Sequence, residues 1–171
     1  MELRLANSVI RSWDPGDVDS LTAHANNPKI WKNVRDAFPR PYTREDAAGW
    51  IHRATSQVPE THFAIAVGGE AAGAIGFILK DDVYRRSAEI GYWLGEDYWG
   101  RGIVAEALRA LTDYAFASHD LCRIYAGVFE WNTASMRVLE KAGYAFEARL
   151  RKAVTKENLT VDEVLYTIIR E

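Results

Sequence analysis

The sequence predicts a mixed α+β fold, in which helices cover both faces of a central, mostly antiparallel twisted sheet. With 171 residues, the chain has about the length of one domain, and 48% hydrophobic residues suffice for a core. Segments with strand and helix periodicity follow in an order that is neither strictly alternating nor all-β. A Gly68-Gly69 pair between two strand-like segments is typical of a hairpin. We therefore expect one domain over residues 1–171.

The first half of the chain contains a strand, a helix, an irregular segment, a second helix and a hairpin. Thr43, with Asp46 three positions later, is a capping box that opens the second helix. The boundaries that these signals predict are a strand from Glu2 to Trp13, a helix from Asp17 to Asn27, an irregular segment from Pro28 to Tyr42, and a hairpin of His62 to Val67 with Glu70 to Leu79.

The second half begins with a strand whose two faces differ in character. Asn132 is the expected N-cap of the last helix, and Gly143 its left-handed end. The predicted elements are a strand over Ser87–Leu94, a helix over Gly100–Ala117, a strand over Cys122–Phe129, a helix after Asn132, and two strands near Tyr144–Leu150 and Leu159–Ile169.

Composition excludes several classes of protein. The net charge of -3 argues against non-specific nucleic-acid binding, which needs a basic face. The single cysteine, Cys122, excludes an internal disulfide framework and a cysteine-rich zinc site, and we expect it to be a buried core residue. The four histidines show no metal-ligand spacing, so no metal is expected. No apolar run approaches the ~20 residues of a membrane span, which favours a cytoplasmic protein without a membrane partner.

The most informative segment is the loop in which Gly100, Arg101 and Gly102 precede a helix. The first N–H groups of a helix lack partners within it, so this turn could bind an anion such as phosphate. An ordinary glycine-containing helix start is one alternative. A dinucleotide fingerprint ending at Ala105, with Glu130 as its acid, is another, but that motif belongs to the first βα unit of a parallel sheet. The third interpretation is the pyrophosphate loop of an acyl-coenzyme A transferase.

The segments 88–95 and 98–108 together strongly resemble the coenzyme A motif of the GNAT N-acetyltransferase superfamily. The segments 130–144 and 41–51 resemble its RimJ/RimL-like branch, the ribosomal-protein N-terminal acetyltransferases. One departure is Asp97, which stands where that superfamily usually has Gln or Arg.

This resemblance implies the GNAT fold, in which the strand ending in Tyr92, Trp93 and Leu94 splays away from the strand Cys122–Phe129. The pantetheine arm of acetyl-coenzyme A would lie in that gap, and the Leu94 N–H would face the thioester oxygen. The backbone amides of the loop would hold the pyrophosphate, with Arg101 as a charged donor; these loop residues are Gly100, Arg101, Gly102, Ile103 and Val104.

Candidate catalytic residues flank the implied gap. Glu89 shares a strand face with Gly91 and Trp93 and could act as a general base through a water; a solvated or ion-paired glutamate is the alternative. Ser135 could protonate or orient the leaving sulfur, or could simply be a first-turn serine. Asn132 caps its helix, and the resemblance adds a contact to the cofactor.

Residues that could shape the acceptor site lie on and between the early helices, although aromatic residues that merely pack helices together are an equally good explanation. They are Trp31, Arg35, Phe38 and Trp50.

The expected function is acetyl-coenzyme A-dependent transfer to a primary amine, best a protein N-terminal α-amine, by direct attack in a ternary complex. A small-molecule amine, such as an amino acid, a polyamine or an aminoglycoside, is an alternative acceptor. A non-catalytic acyl-coenzyme A-binding protein is the alternative from another class. The resemblance and the aromatic surplus also suggest a homodimer.

Overall fold

Eight strands and five helices make up the chain, and the computed structural model describes residues 1–171. The strands are β1 (Glu2–Arg4), β2 (Val9–Arg11), β3 (His62–Val67), β4 (Glu70–Leu79), β5 (Ser87–Leu94), β6 (Arg123–Phe129), β7 (Ala145–Lys156) and β8 (Leu159–Ile169). The helices are α1 (Val18–Ala25), α2 (Pro28–Trp31), α3 (Arg44–Ser56), α4 (Ile103–Ser118) and α5 (Thr133–Lys141). No helix is long and apolar enough to cross a membrane.

All eight strands belong to one sheet in the order β1-β2-β3-β4-β5-β6-β8-β7. The β5–β6 pair is parallel and pairs Ser87 with Arg123 through Glu89 with Tyr125. The β1–β2, β2–β3, β3–β4, β6–β8 and β7–β8 pairs are antiparallel. The predicted α+β fold with a mostly antiparallel sheet is confirmed.

Several predicted features differ from the structure. The single strand from Glu2 to Trp13 was wrong, because the chain reverses after β1 and pairs Leu3 with Ile10 in a hairpin. The irregular segment after Asn27 begins with the short helix α2. Cys122 is only half-buried, because it precedes β6, and its Sγ lies 3.6 Å from the Arg86 carbonyl oxygen.

One compact unit contains residues 1–76 and 92–107. The capping box of α3 forms as predicted: the Asp46 N–H donates to Thr43 Oγ1 at 3.2 Å, and the Thr43 N–H donates to Asp46 Oδ2 at 2.8 Å. The apolar faces of α1 and α3 share a core with nearby strands and loops, formed by Trp13, Leu21, Ala25, Tyr42, Ala47, Ile51, Ala54, Ala64, Ala71 and Ala74.

The second compact unit contains residues 77–91 and 108–171. Gly143 ends α5 with a φ of +95°, the left-handed conformation predicted from the sequence. Tyr144 follows, buried, with its hydroxyl 2.7 Å from Thr112 Oγ1, and burial raises the pKa of Tyr144 to about 12. Tyr144 is therefore a core residue.

That residues 1–171 form a single domain stays a prediction.

Candidate active site

An open turn lies directly before α4. Gly100 and Gly102 have φ values of +75° and +77°, which L side chains rarely adopt. A Cβ atom on either glycine would have no heavy atom within 4 Å, so the space above this backbone is open. The predicted helix start at Gly100 was wrong, because these conformations delay the helix to Ile103.

The start of α4 supplies hydrogen-bond donors to this open space. The Glu106 N–H donates to the Gly102 carbonyl at 3.2 Å, so the amides of residues 103–105 precede the first bond of the helix. Ile103 is buried and fixes the turn to the protein. A turn with open space, unpaired helix amides and the positive end of the α4 dipole fits a phosphate group.

The Arg101 side chain folds back onto the preceding turn. Its Nη2 donates to the Asp97 carbonyl oxygen at 2.7 Å, and its guanidinium lies 5.4 Å from the centre of the Tyr98 ring. Asp97 therefore supports the turn through its backbone rather than its carboxylate. A contact of Arg101 with phosphate stays a prediction.

The loop from Gly95 to Trp99 is closed by two hydrogen bonds that connect it to strands. Trp99 Nε1 donates to the Leu94 carbonyl at 2.7 Å, which joins the two ends of the loop. The Gly95 N–H donates to the Ala72 carbonyl at 2.7 Å, which joins the loop to β4. These bonds fix the direction in which the chain enters the Gly100–Gly102 turn.

The last residues of β5 lie against β4. A Cβ atom on Gly73 would overlap the Trp93 carbonyl oxygen, so this approach requires glycine. Leu94 is buried and Tyr92 half-buried. The Trp93 ring contacts Phe38 edge-to-face, with ring centres 5.8 Å apart.

Two of the predicted acceptor residues pack within the same unit. The ring centres of Phe38 and Tyr42 are 4.9 Å apart, and those of Trp50 and His62, which meet edge-to-face, are 5.3 Å apart. Both rings pack against the core of this unit, and their role in an acceptor site stays a prediction.

The other two predicted acceptor residues lie outside that core. The Arg40 guanidinium lies 4.7 Å from the centre of the half-buried Trp31 ring, and Arg35 is exposed. A cation over an indole face is an attractive contact.

Glu89 forms an ion pair. Its Oε2 accepts a hydrogen bond from Lys80 Nζ at 2.8 Å, and its side chain is 17% exposed. The hydrogen bond to Glu89 raises the pKa of Lys80, against a smaller opposing effect of burial, so Lys80 stays charged beside the carboxylate. The ion-paired alternative from the sequence is thus observed, and the role as a base stays a prediction.

Asn132 caps α5 as predicted. Its Oδ1 accepts the Ser135 N–H at 3.2 Å, which makes Ser135 a first-turn residue with a half-buried side chain. Glu89, Asn132 and Ser135 belong to the second unit, whereas the segment from Tyr92 to Val104 belongs to the first.

The sequence analysis missed the residues that anchor the loop. Glu96 Oε2 accepts from Asn27 Nδ2 at 2.8 Å, and Glu96 also pairs with Lys29. The only local signal was Asn27 before Pro28, which is typical of a helix N-cap. The hydrogen bond of the Trp99 side chain could not be predicted, because nothing in the sequence indicates the direction of its indole N–H.

A family model described as acetyltransferase (GNAT) domain matches residues 8–145. The chain therefore belongs to the GNAT acetyltransferase family, and it is an N-acetyltransferase of that family. The predicted GNAT fold and the family resemblance are confirmed.

Individual relatives agree with this assignment. The uncharacterized N-acetyltransferase p20 of Bacillus licheniformis is 29% identical over 165 residues, which cover 95% of this chain and 92% of the relative. The ribosomal-protein-serine acetyltransferase of Escherichia coli (strain K12) is 33% identical over 107 residues, covering 63% of this chain and 59% of that protein. A solved structure of RimL, a ribosomal L7/L12 alpha-N-protein acetyltransferase in complex with coenzyme A, has a TM-score of 0.86 at 21% identity, covering 99% and 98% of the two chains. This last likeness shows the shared fold.

Proposed function

We propose that this chain transfers the acetyl group of acetyl-coenzyme A directly to the α-amine of a protein N-terminus. Family membership supports the N-acetyl transfer, and the relative that acts on a ribosomal protein supports a protein acceptor. The observation that carries the coenzyme A assignment is the open Gly100–Gly102 turn at the start of α4.

The proposed contacts to the cofactor follow from that turn. The backbone amides from Gly100 to Val104 hold the pyrophosphate, because they lie at the positive end of α4. Tyr92, Trp93 and Leu94 line the pantetheine arm, and the Leu94 N–H donates to the thioester oxygen, where negative charge develops during attack. Asn132 adds a polar contact to the arm.

The acceptor must lose a proton during the reaction. A protein α-amine has a pKa of about 7.7–8, whereas that of lysine is near 10.4, so about a tenth of the α-amine is neutral at pH 7. The neutral nitrogen forms the new bond to the carbonyl carbon, the carbon–sulfur bond breaks, and coenzyme A leaves as a thiolate. With a thiol pKa near 8.5, the thiolate is a good leaving group and finally takes up one proton.

Glu89 accepts the amine proton through a water in this proposal. Its Oε2 accepts a hydrogen bond from Lys80 Nζ at 2.8 Å, which fixes the position of the carboxylate. A weak base suffices for an acceptor that is already partly neutral. Ser135 orients the sulfur or returns the proton.

The acceptor site is proposed to combine two walls that pack on the core with two residues outside that core. Phe38 and Trp50 form walls, because both are packed against the core. Trp31 and Arg35 contact the incoming chain, because they lie outside that core and Arg35 is exposed. We also propose that two copies of this chain form a homodimer.

An acceptor panel tests the function. Thiol release from acetyl-coenzyme A is followed with peptides that carry a free N-terminus, with the same peptides blocked at the N-terminus but containing lysine, and with small amines. Mass spectrometry then locates the acetyl group. We expect turnover with the free peptides and loss of turnover after blocking. Preference for small amines would transfer the assignment to a small-molecule acetyltransferase, and coenzyme A binding without turnover on any amine would indicate a binding protein.

A further inference from the structure

We propose that Asn27 and Glu96 are positioning residues that hold the loop from Gly95 to Trp99, and with it the Gly100–Gly102 turn, in the geometry that binds coenzyme A. They also connect this loop to the segment that begins the predicted acceptor region. The inference rests on the proposed function of the Gly100–Gly102 turn, but the two can be tested separately.

Asn27 uses both ends of its side-chain amide. Its Oδ1 accepts the Lys29 N–H at 2.9 Å and so caps α2, while its Nδ2 donates to Glu96 Oε2 at 2.8 Å. Its backbone carbonyl accepts the N–H groups of Ile30 and Trp31, both at 3.0 Å. One half-buried side chain thus joins the start of α2, which leads to Trp31, to the loop before α4.

Glu96 transmits this anchor to the turn. Its carboxylate also pairs with Lys29, and hydrogen bonds from Lys29 and then Asn27 lower the pKa of Glu96, so it is ionised at neutral pH. Its backbone carbonyl accepts the N–H of Trp99 at 3.1 Å. Trp99, directly before Gly100, is therefore hydrogen-bonded to Glu96, whose side chain is anchored by Asn27 and Lys29.

A loop that is already in its bound conformation loses less conformational entropy when a ligand binds. Release of Glu96 should therefore weaken the binding of the pyrophosphate, which contacts the Gly100–Gly102 turn that this loop positions. The pantetheine moiety does not contact the loop in this proposal and should bind unchanged.

The polarity of the Asn27–Glu96 contact allows a specific test. Asn27→Asp keeps an oxygen to cap α2, since Asp is as good an N-cap as Asn, but it places a carboxylate against Glu96. In the double variant with Glu96→Gln, the amide at position 96 can donate to the carboxylate at position 27. The contact is restored with reversed polarity and an unchanged net charge.

Asn26→Asp is the matched control. Asn26 is exposed, and its Oδ1 accepts the Tyr42 N–H at 3.1 Å, a bond that a carboxylate also makes. This variant adds the same charge one residue away without changing the contact between residues 27 and 96.

Calorimetric titration with coenzyme A and with pantetheine gives the readout. We expect Asn27→Asp to raise the coenzyme A dissociation constant about fivefold, which corresponds to the ~1 kcal/mol of a typical hydrogen bond. The double variant should return to within about twofold of the starting protein. Asn26→Asp should leave the constant unchanged, and pantetheine should bind all four proteins equally.

Two results would overturn the inference: an unchanged constant in folded Asn27→Asp, or a double variant that binds as weakly as the single one. If Asn27→Asp does not fold, Glu96→Ala carries the same test, because it removes the acceptor without adding charge. If the unsubstituted protein itself does not bind coenzyme A, the proposed function fails instead.

Discussion

Substitution of Gly102 by valine tests the coenzyme A turn most directly. At a φ of +77°, a β-branched residue strains the backbone by roughly 1–3 kcal/mol. Apart from the adjacent residues, no protein atom lies within 4 Å of the added Cβ, so the space around it is open. The new side chain instead occupies the space where the pyrophosphate would approach. We expect the coenzyme A dissociation constant to rise at least about tenfold, or ~1.4 kcal/mol.

Gly68→Val separates strain from occupancy. Gly68 lies in the turn between β3 and β4, with a φ of +60° and likewise nothing within 4 Å of a Cβ. Both variants should lose a similar amount of unfolding free energy, and their melting temperatures should fall by about 2–4 °C per kcal/mol. Only Gly102→Val should lose affinity for coenzyme A, measured by calorimetry, while its affinity for pantetheine is retained. Unchanged coenzyme A affinity in folded Gly102→Val would refute the assignment of this turn.

Three further predictions concern catalysis, stability and assembly. Glu89→Gln should lower kcat about 10²-fold with unchanged coenzyme A affinity, and higher pH should restore the rate as the amine deprotonates; a rate unaffected at every pH contradicts the base. Burial raises the pKa of Asp17, but hydrogen bonds from the Arg11 guanidinium and the Asp14 N–H outweigh it and hold that pKa below its usual value. Asp17→Asn should therefore cost about 1–3 kcal/mol of unfolding free energy at pH 7. The stabilisation by ionised Asp17 is complete above the unfolded pKa of about 3.9 and is lost as pH falls through the lower, folded pKa. The difference in unfolding free energy between the two proteins, measured by urea-induced unfolding, should therefore vanish at low pH. A difference that does not depend on pH would exclude the ion pair as its cause. Sedimentation at tens of micromolar should show a species of twice the chain's mass, and a monomer alone would argue against the homodimer.

Features with a local cause could be predicted from the sequence. The Thr43–Asp46 capping box, the Asn132 cap and the left-handed Gly143 each depend on residues within a few positions of one another. Strand alternation likewise predicted Ser87–Leu94 with its ends as observed.

Features that depend on partners distant in sequence could not be predicted. Glu96 finds Asn27 across 69 positions, and no periodicity encodes that meeting. Glu89 lies on the predicted strand, but its ion pair joins it to Lys80, nine positions earlier and on the other side of the connection between β4 and β5. Arg101 has a partner close in sequence, the Asp97 carbonyl four positions earlier, but no sequence pattern predicts the direction of its side chain.

The unit that carries the Gly100–Gly102 turn is discontinuous along the chain, since it consists of residues 1–76 and 92–107. During translation, Asn27 and Ala72, which anchor the loop, emerge well before the loop itself. Fifteen residues of the other unit, 77–91, are made in between. Until synthesis has passed residue 96, the side-chain amide of Asn27 and the carbonyl of Ala72 therefore lack their partners Glu96 and Gly95. The contacts that anchor the Gly95–Trp99 loop thus form late in synthesis, and they join residues that are far apart in sequence.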